Sequence, residues 1–341
     1  MRRLWFYSTG FAGYITLAIR QNSMLKLEYT YKQKKRASTL LSLALSELEA
    51  STTLVERSLN REALVRMYFC CFYASQAQLV TKISAKPTHK TLEGQLHKTY
   101  GKSKNFPRRY VELHALLHKL RTQFNYNVTH SPQPKLVEQK LRVLQAYVTF
   151  ALRSVPTLQT AEILGDILAD NPSKIKDFSY DIYCPKTYAH HTRLTLWQPP
   201  FYLEVFTVDQ VQVQARRMLQ NLRVKRSSDY VVGVNSRLDQ YGGNHLVMLD
   251  IDSLDSSVEA ALSKLGGVLL KSGRGFHFIG NKVVEGQTTW EKLMRQLKRS
   301  KELKDYVDHD HIEVSLRRGY ATLRVTTSKI KPQAPVFFKE L

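Results

Sequence analysis

The chain changes its sequence pattern once, near Ser179, and this change limits the folds open to it. Before that point, apolar residues repeat at helical spacing over long stretches, as Leu41, Ala44 and Leu48 illustrate. After it, short β-branched and aromatic runs, such as residues 231–234, alternate with helical patterns. The sequence therefore predicts an α+β chain, in which an N-terminal all-α bundle precedes an α+β domain built on a mostly antiparallel sheet.

The length of 341 residues exceeds what one typical core accommodates, so we expect two domains. A bundle of four or five helices is placed at residues 30–155, a helical connector at 156–178 and the α+β domain at 179–341. Within the α+β domain we expect helices at residues 209–222, 256–265 and 288–300, and strands at residues 201–206 and 231–234.

Residues 1–29 are treated as an N-terminal extension. Arg2 and Arg3 precede an apolar stretch, as they would in a signal sequence. Polar residues interrupt this stretch, and it ends at Arg20 without a small-residue cleavage site. Because it is also short for a membrane span, we expect no membrane anchor. A start at Met24, which would leave residues 1–23 outside the protein, stays open as an alternative.

The charge balance indicates the chemistry of the partner. Lys and Arg number 51 and Asp and Glu number 29, which gives a net charge of +22 and a pI near 9.8. Such an excess favours a polyanion, most often nucleic acid. The three cysteines, Cys70, Cys71 and Cys184, form no C-x-x-C pair, so we expect free thiols, no structural zinc and a cytoplasmic location.

Two acidic residues follow an apolar strand pattern at residues 246–252. Asp250 and Asp252 are spaced i, i+2, and alternate side chains of a strand share one face about 6.5–7 Å apart. About twenty residues later, two short strand patterns flank a Ser-Gly-Arg-Gly turn that returns His277 to the same neighbourhood. Paired acids with a nearby histidine and arginine favour metal-dependent chemistry on a phosphate.

A third acidic segment lies at residues 306–314. Its alternation predicts a strand that places Asp308 and Asp310 on one face and His309 and His311 on the other. Alternating histidines on a strand can chelate a metal, so a separate His-x-His site is an alternative there.

Taken in order, these three segments resemble the catalytic core of archaeo-eukaryotic primases and primase-polymerases, over residues 180–341. The resemblance implies an RRM-like sheet. It matches Asp250 and Asp252 to the family's first motif, and Ser272 with His277 to its second, with a longer gap between them than the short form of that motif. It further implies that Asp308 or Asp310 supplies the third acid and that Arg318 or Arg324 supplies the basic partner.

The resemblance also implies a chemistry. Nucleotidyl transfer uses Mg²⁺ or Mn²⁺, and such hard cations prefer the carboxylate oxygens of Asp250, Asp252 and one later aspartate. The residues expected to hold the triphosphate are Ser272, Gly273, Arg274, His277, Arg318 and Arg324. The expected partners are therefore DNA or RNA and nucleoside triphosphates.

The helical half resembles a second family. The run from Tyr68 to Ala77, the segment at residues 86–90 and the run from Arg121 to Tyr126 are similar to the HEPN helical-bundle superfamily, over about 120 residues. That family cuts RNA with an Arg and a His four to six residues apart, and its members often pair as dimers. Here Arg121, Asn125 and Tyr126 occupy the matching positions, without the histidine that serves as general acid or base.

Three hypotheses follow. The preferred one is a primase-polymerase type of nucleotidyltransferase, acting for example in replication. The second is RNA cleavage at Arg121, with the primase-like part sensing nucleotides. The third is a nucleic-acid-binding protein without catalysis. A homodimer through the helical bundle is expected in each case.

Overall fold

The fold is known from a computed structural model of the chain. It describes residues 30–80, 82–83, 87–126, 131–158, 160–171, 174, 177–185, 193–198, 208–222, 224, 227–239, 243–329 and 331–341. The expected N-terminal extension and the strand expected at residues 201–206 lie outside these ranges.

The described part of the N-terminal half contains five helices that pack around one apolar core, and the α-helical prediction is confirmed. They are α1 (Tyr31–Glu56), α2 (Asn60–Val80), α3 (Leu92–Tyr100), α4 (Arg108–Tyr126) and α5 (Pro134–Ser154). Local sequence signals set their ends. Thr30 caps α1 in a reciprocal capping box with Gln33, and Pro134 begins α5, where the missing proline N–H would have had no intrahelical partner.

The C-terminal half combines helices with two four-stranded antiparallel sheets, so the α+β prediction is confirmed. The strands are β1 (Phe178–Tyr183), β2 (Leu194–Gln198), β3 (Val231–Asn235), β4 (His245–Ile251), β5 (Gly267–Ser272), β6 (Gly275–Val284), β7 (Thr322–Arg324) and β8 (Val336–Glu340). The helices are α6 (Thr160–Asp170), α7 (Val208–Asn221), α8 (Ser256–Leu265), α9 (Gln287–Arg299) and α10 (His309–Arg318).

The strands divide into the orders β2-β1-β3-β7 and β4-β6-β5-β8, rather than forming one RRM-like sheet. The two sheets meet where β3 ends. The backbone N–H of Leu246, in β4, donates to the carbonyl of Ser236, and Arg237 forms an isolated bridge with His245. The second residue of β4 is therefore tied to the end of the first sheet, and the two sheets share one apolar core.

Helix α1 also packs against β8, the edge strand of the second sheet. The Ser42 hydroxyl donates to the carbonyl of Phe337 at 2.7 Å, and the Thr39 hydroxyl donates to that of Phe338 at 3.2 Å. Val336 belongs to the apolar core of the helical bundle. Polar side chains of the helix thus satisfy carbonyls on the open side of a sheet edge, which protects that edge from pairing with other chains.

In the ranges that the structure describes, no helix is long and apolar enough to cross a membrane. Cys70 and Cys71 are buried, Cys184 is partly buried and all three are free, as the sequence predicts.

Candidate active site

The two aspartates of the first motif lie at the end of β4. Asp250 is the penultimate residue of the strand and pairs in register with His277 of β6. Asp252 is exposed just beyond the strand, and Ile251 between them is fully buried. The backbone N–H of Asp252 donates to the carbonyl of Tyr306 at 2.7 Å. Burying Ile251 therefore turns the residues on either side of it toward the opposite face.

The second motif forms the hairpin of β5 and β6. Ser272 pairs with Gly275 across a two-residue turn whose first residue, Gly273, has φ +68°, a left-handed conformation that glycine adopts without strain. The hairpin brings the Ser272 hydroxyl to 2.8 Å from Nε2 of His277. Ser272 and His277, which are five positions apart in the chain, thus form a hydrogen-bonded pair beside Asp250.

The imidazole of His277 is buried and faces Asp250, with 4.0 Å between Nε2 and Oδ1. Burial lowers the pKa of His277 well below its ordinary value, and the positive charges of Arg324, His311 and Lys331 lower it further. The ring is therefore neutral near pH 7, and its contact with Asp250 is not an ion pair.

Arg324 of β7 completes this group from the first sheet. Its Nη2 donates to the Ser272 hydroxyl at 3.1 Å, while its Nη1 donates to the backbone carbonyls of Thr326 and Gln333. With 7% of its surface exposed, the guanidinium is held in place by these bonds. Arg324 therefore fixes the position of Ser272 as well as adding positive charge to the site.

The third acidic segment is not a strand, and that prediction is wrong. Residues His309–Arg318 form α10, and Asp308 is its N-cap, whose Oδ1 accepts the backbone N–H of His311 at 2.8 Å. The helix buries Ile312 and Ser315, which are three residues apart. The alternation of Asp and His over residues 308–311 resembles a strand pattern. It instead covers the N-cap and first turn of a helix, where polar residues are favoured.

The position of the helix N-cap also distinguishes Asp308 from Asp310, the two candidates for the third acid. Asp308 raises the pKa values of both Asp250 and Asp252 by like-charge repulsion, which places its carboxylate near both. Asp310 is exposed on the first turn of α10. Asp308 therefore joins the first motif, and Asp310 does not.

The alternative of a His-x-His site on a strand fails for the same reason, because these residues lie in a helix. Residues two apart on a helix point in different directions. His309 donates from Nε2 to the carbonyl of Lys304, and His311 donates from Nε2 to that of Thr322. The positive charge of His311 lowers the pKa of Asp250, and that of His309 lowers the pKa of Asp252. The buried Nδ1 of His311 has no partner among the described residues.

Desolvation is the largest influence on both aspartates of the first motif. Burial raises the pKa of Asp250, Asp308 and Asp252 raise it further, and His311 and Lys331 oppose the shift. Burial and Asp308 likewise raise the pKa of Asp252. A cation bound between the carboxylates would relieve this repulsion, and three carboxylates are the donor set that Mg²⁺ and Mn²⁺ prefer. Among the described residues, however, no group of three or more His, Cys, Asp or Glu side chains is placed so that it could hold a metal ion.

Arg318 and Arg274 lie apart from this group. Arg318, at the end of α10, is near Asp181 and Tyr183 of β1 and near Arg193 and Tyr320. Arg274 is exposed in the hairpin turn, and its carbonyl accepts a hydrogen bond from Lys271 at 2.9 Å.

Sequence reasoning missed a buried polar network beside the site. Asp181 of β1 is fully buried, ion-paired with Arg193 and hydrogen-bonded to Nδ2 of Asn235 at 2.9 Å. The pKa of Tyr183 is raised to about 12, mainly by burial and further by the charges of Asp181 and Asp250. No local pattern marked these residues, because they meet only when the sheet forms.

In the helical bundle, Arg121 of α4 lies over two aromatic rings of α2, with its guanidinium carbon 4.7 Å from the ring centre of Tyr68 and 4.9 Å from that of Phe69. Asn125 and Tyr126 form the end of α4, and their side chains lie outside the described part. The proposed roles of these three residues therefore stay predictions.

Comparison with known proteins agrees with the C-terminal geometry. Residues 211–335 match the model of a family described as AEP-like, archaeo-eukaryotic primase 1D-like. No curated protein matches the chain. The matched segment contains the three aspartates, Ser272, His277 and Arg324, so the C-terminal part of the chain is primase-like. The match does not include the helical bundle, and the HEPN resemblance stays a prediction.

Proposed function

We propose that the chain is a metal-dependent nucleotidyltransferase of the primase-polymerase type, which joins nucleoside triphosphates on a DNA or RNA template. The observation that carries the proposal is the backbone hydrogen bond of 2.9 Å that joins Asp308 to Asp250, whose carboxylate lies beside the hydrogen-bonded pair of Ser272 and His277. The match of this segment to a primase-like family supports it.

In this proposal, Asp250, Asp252 and Asp308 hold Mg²⁺ or Mn²⁺. When bound, the ions neutralise the charge that develops on the phosphate during in-line displacement. The pKa values of Asp250 and Asp252 are raised by burial and by Asp308, so the carboxylates repel one another without a cation. The site would therefore favour the binding of a cation.

The other side chains position the triphosphate. Neutral His277 and the Ser272 hydroxyl offer hydrogen bonds to phosphate oxygens, and Arg324 keeps Ser272 in place. Lys331, exposed and near enough to influence Asp250 and His277, and His311 add positive charge on the same side. Such positioning and charge neutralisation are the main tasks of a protein in phosphoryl transfer.

Primer extension tests this proposal. A labelled primer on a DNA template would be incubated with Mg²⁺ or Mn²⁺ and with NTPs or dNTPs, using wild type, Asp250→Asn/Asp252→Asn and Asp308→Asn. Asp310→Asn is the matched control, because it removes an exposed carboxylate two residues from Asp308 on the same segment.

We expect extension by the wild type and Asp310→Asn, and loss of extension by at least about a hundredfold in the other two variants. Extension that survives the double substitution would refute the assignment of the site. Absence of extension by every protein, with nucleic-acid binding retained, would favour nucleotide sensing.

A further inference from the structure

A surface cavity lies in the helical bundle, where the end of α2 meets the end of α5 and the connection between α3 and α4. We name it the bundle cavity. Its volume is about 180 Å³, with an aromatic wall of Tyr100, Phe106 and Phe150 and a polar wall that includes Gln78 and Ser154. The rings of Tyr100 and Phe106 stack with 4.3 Å between their centres, and Phe150 meets Phe106 edge-on at 5.4 Å. None of the residues that line the cavity belongs to the site described above.

The volume limits what the bundle cavity can hold. A cavity of about 150 Å³ takes one benzene ring, and pockets for complete small-molecule ligands have about 300–1,000 Å³. The bundle cavity is therefore large enough for one aromatic ring and too small for a whole nucleotide. The wall is also poorly suited to base stacking, because Phe106 is buried and stacks on Tyr100 instead of offering an open ring face.

The polar wall offers the occupant a hydrogen-bond acceptor. Gln78 is 4% exposed, and its Nε2 donates to Oγ of Ser154 at 2.8 Å. The Ser154 hydroxyl donates in turn to the Phe150 carbonyl, and the Tyr100 hydroxyl donates to the backbone carbonyl of Gln78 at 2.7 Å. Oε1 of Gln78 accepts no hydrogen bond from the residues that the structure describes. Because buried polar atoms are normally paired, a ring that carries a hydroxyl donor, as tyrosine does, fits the cavity better than a phenyl ring.

Basic residues surround the mouth of the bundle cavity. Lys82 lines the cavity and is exposed. Ser103 also lines it, and the exposed residues Lys102 and Lys104 flank Ser103 in the chain. The segment from residue 94 to residue 111 contains no aspartate or glutamate, and its lysines and arginines are Lys98, Lys102, Lys104, Arg108 and Arg109. Positive charge spread along a segment favours an extended acidic partner over a single small anion.

The chain itself does not supply such a partner. Residues 1–29 carry Arg2, Arg3, Arg20 and Lys26, and their one acidic residue is Glu28. A second copy is also disfavoured, because two chains with a net charge of +22 repel each other. Charge complementarity therefore points to a different protein.

We propose that the bundle cavity binds an acidic segment of a partner protein. A tyrosine ring of that segment enters the cavity beside Tyr100 and Phe150, and its hydroxyl donates to Oε1 of Gln78. Aspartate or glutamate residues on either side of this tyrosine pair with Lys102 and Lys104. An aromatic anchor in a pocket with a charged rim is typical of interface hot spots. The inference does not rest on nucleotidyl transfer.

Selection of displayed peptides tests the proposal. A library of short random peptides would be selected against the immobilised full chain, with counter-selection against Ser103→Trp. Ser103 is exposed, so a tryptophan there can fill the cavity without entering the apolar core. We expect the enriched peptides to combine a tyrosine with several acidic residues. Absence of enrichment, or enrichment of peptides without acidic residues, would overturn the proposal. Enrichment of segments that match this chain would indicate self-association and would also overturn it.

Affinity measurements with an enriched peptide locate its binding site. Fluorescence anisotropy should show at least about a thirtyfold weaker affinity for Ser103→Trp, and the same for a peptide whose tyrosine is replaced by alanine, as expected of a hot-spot residue. Lys102→Glu/Lys104→Glu should weaken binding by about fivefold or more.

Lys119→Glu/Lys135→Glu is the matched control for the charge reversal. It makes the same change in net charge at two exposed lysines that do not line the cavity. We expect it to change the affinity by less than about twofold, because salt screens distant exposed charges. Equal losses in the two double variants, or an unchanged affinity for Ser103→Trp, would show that the peptide binds elsewhere and would overturn the proposal.

Discussion

The backbone N–H of Asp308 donates a hydrogen bond to the carbonyl oxygen of Asp250 at 2.9 Å. Together with the bond from the Asp252 N–H to the Tyr306 carbonyl, it holds the segment before α10 against the end of β4. An isolated bridge between Ile251 and Val307 lies between these two bonds. The backbone therefore positions the carboxylate of Asp308, because Asp308 is hydrogen-bonded to β4 and is also the N-cap of α10.

Asp250→Asn should raise the thermal stability of the metal-free protein at pH 7. The pKa of Asp250 is raised in the folded state, so its ionised form destabilises the fold at any pH above that pKa. The amide removes this cost, and the stability advantage of Asp250→Asn should shrink as the pH falls through the folded pKa toward 3.8, the ordinary pKa of an aspartate. Calorimetric melting between pH 4 and pH 7 measures it.

Adding Mg²⁺ or Mn²⁺ should reduce the difference in melting temperature between Asp250→Asn and the wild type. The cation should raise the melting temperature of the wild type and have little effect on Asp250→Asn, because binding to the folded state stabilises it. A lower melting temperature for Asp250→Asn at pH 7 without metal would contradict the electrostatic account.

Gly275→Ala should disrupt the site, whereas Gly273→Ala should be tolerated better. A Cβ on Gly275 would lie 2.3 Å from the carbonyl oxygen of Ile251, so the hairpin and the end of β4 would have to separate. A Cβ on Gly273 meets nothing within 4 Å and costs only the strain of its positive φ, about 1 kcal/mol. We expect about 2–3 kcal/mol of destabilisation for Gly275→Ala in urea unfolding. Equal losses in the two variants would show that contact with Ile251 is not limiting.

His114→Leu should reduce the loss in free energy of unfolding that occurs as the pH falls from 6.5 to about 4. The folded pKa of His114 is lowered to about 4 from 6.5, so the unfolded chain takes up a proton first as the pH falls below 6.5. This group should cost the wild type up to about 3 kcal/mol at pH 4, at 1.36 kcal/mol for each pKa unit. Urea unfolding at several pH values measures the difference. The exposed His97 provides the control, and a parallel pH dependence of His114→Leu and wild type would refute the prediction.

Lys271→Met should loosen the hairpin of β5 and β6 more than Glu49→Gln does. The buried Lys271 ammonium donates to the Arg274 carbonyl at 2.9 Å and to Glu49 of α1 at 3.2 Å. Losing both bonds should cost about 1–3 kcal/mol, whereas neutralising the partly exposed Glu49 should cost under about 1 kcal/mol.

Hydrogen exchange at residues 272–275 reports this loosening. Glu47→Gln is the matched control, because Glu47 lies on the same helix and pairs with Arg66 instead. If Glu49→Gln and Glu47→Gln give the same exchange rates, α1 does not support the hairpin through Lys271.

Local patterns in the sequence determined the secondary structure of most segments near the site. The apolar run before Asp250 predicts β4, and the Ser-Gly-Arg-Gly turn predicts the hairpin that places Ser272 beside His277. These predictions hold because strand alternation and turn chemistry depend on residues close together in the chain. The alternation of Asp and His around Asp308 led to a wrong strand prediction, because a local pattern of this kind also fits the N-cap of a helix.

The tertiary structure decided which distant residues meet. It joined the backbone of Asp308 to that of Asp250, directed Arg324 to Ser272 and left Arg318 near Arg193. It also buried Asp181 in a network that no local pattern marks, and it placed Lys271 against Glu49 across 222 residues of chain. Short-range preferences specify helices, strands and turns, but contacts between distant residues follow from how the apolar faces of those elements pack, which becomes defined only when the whole core forms.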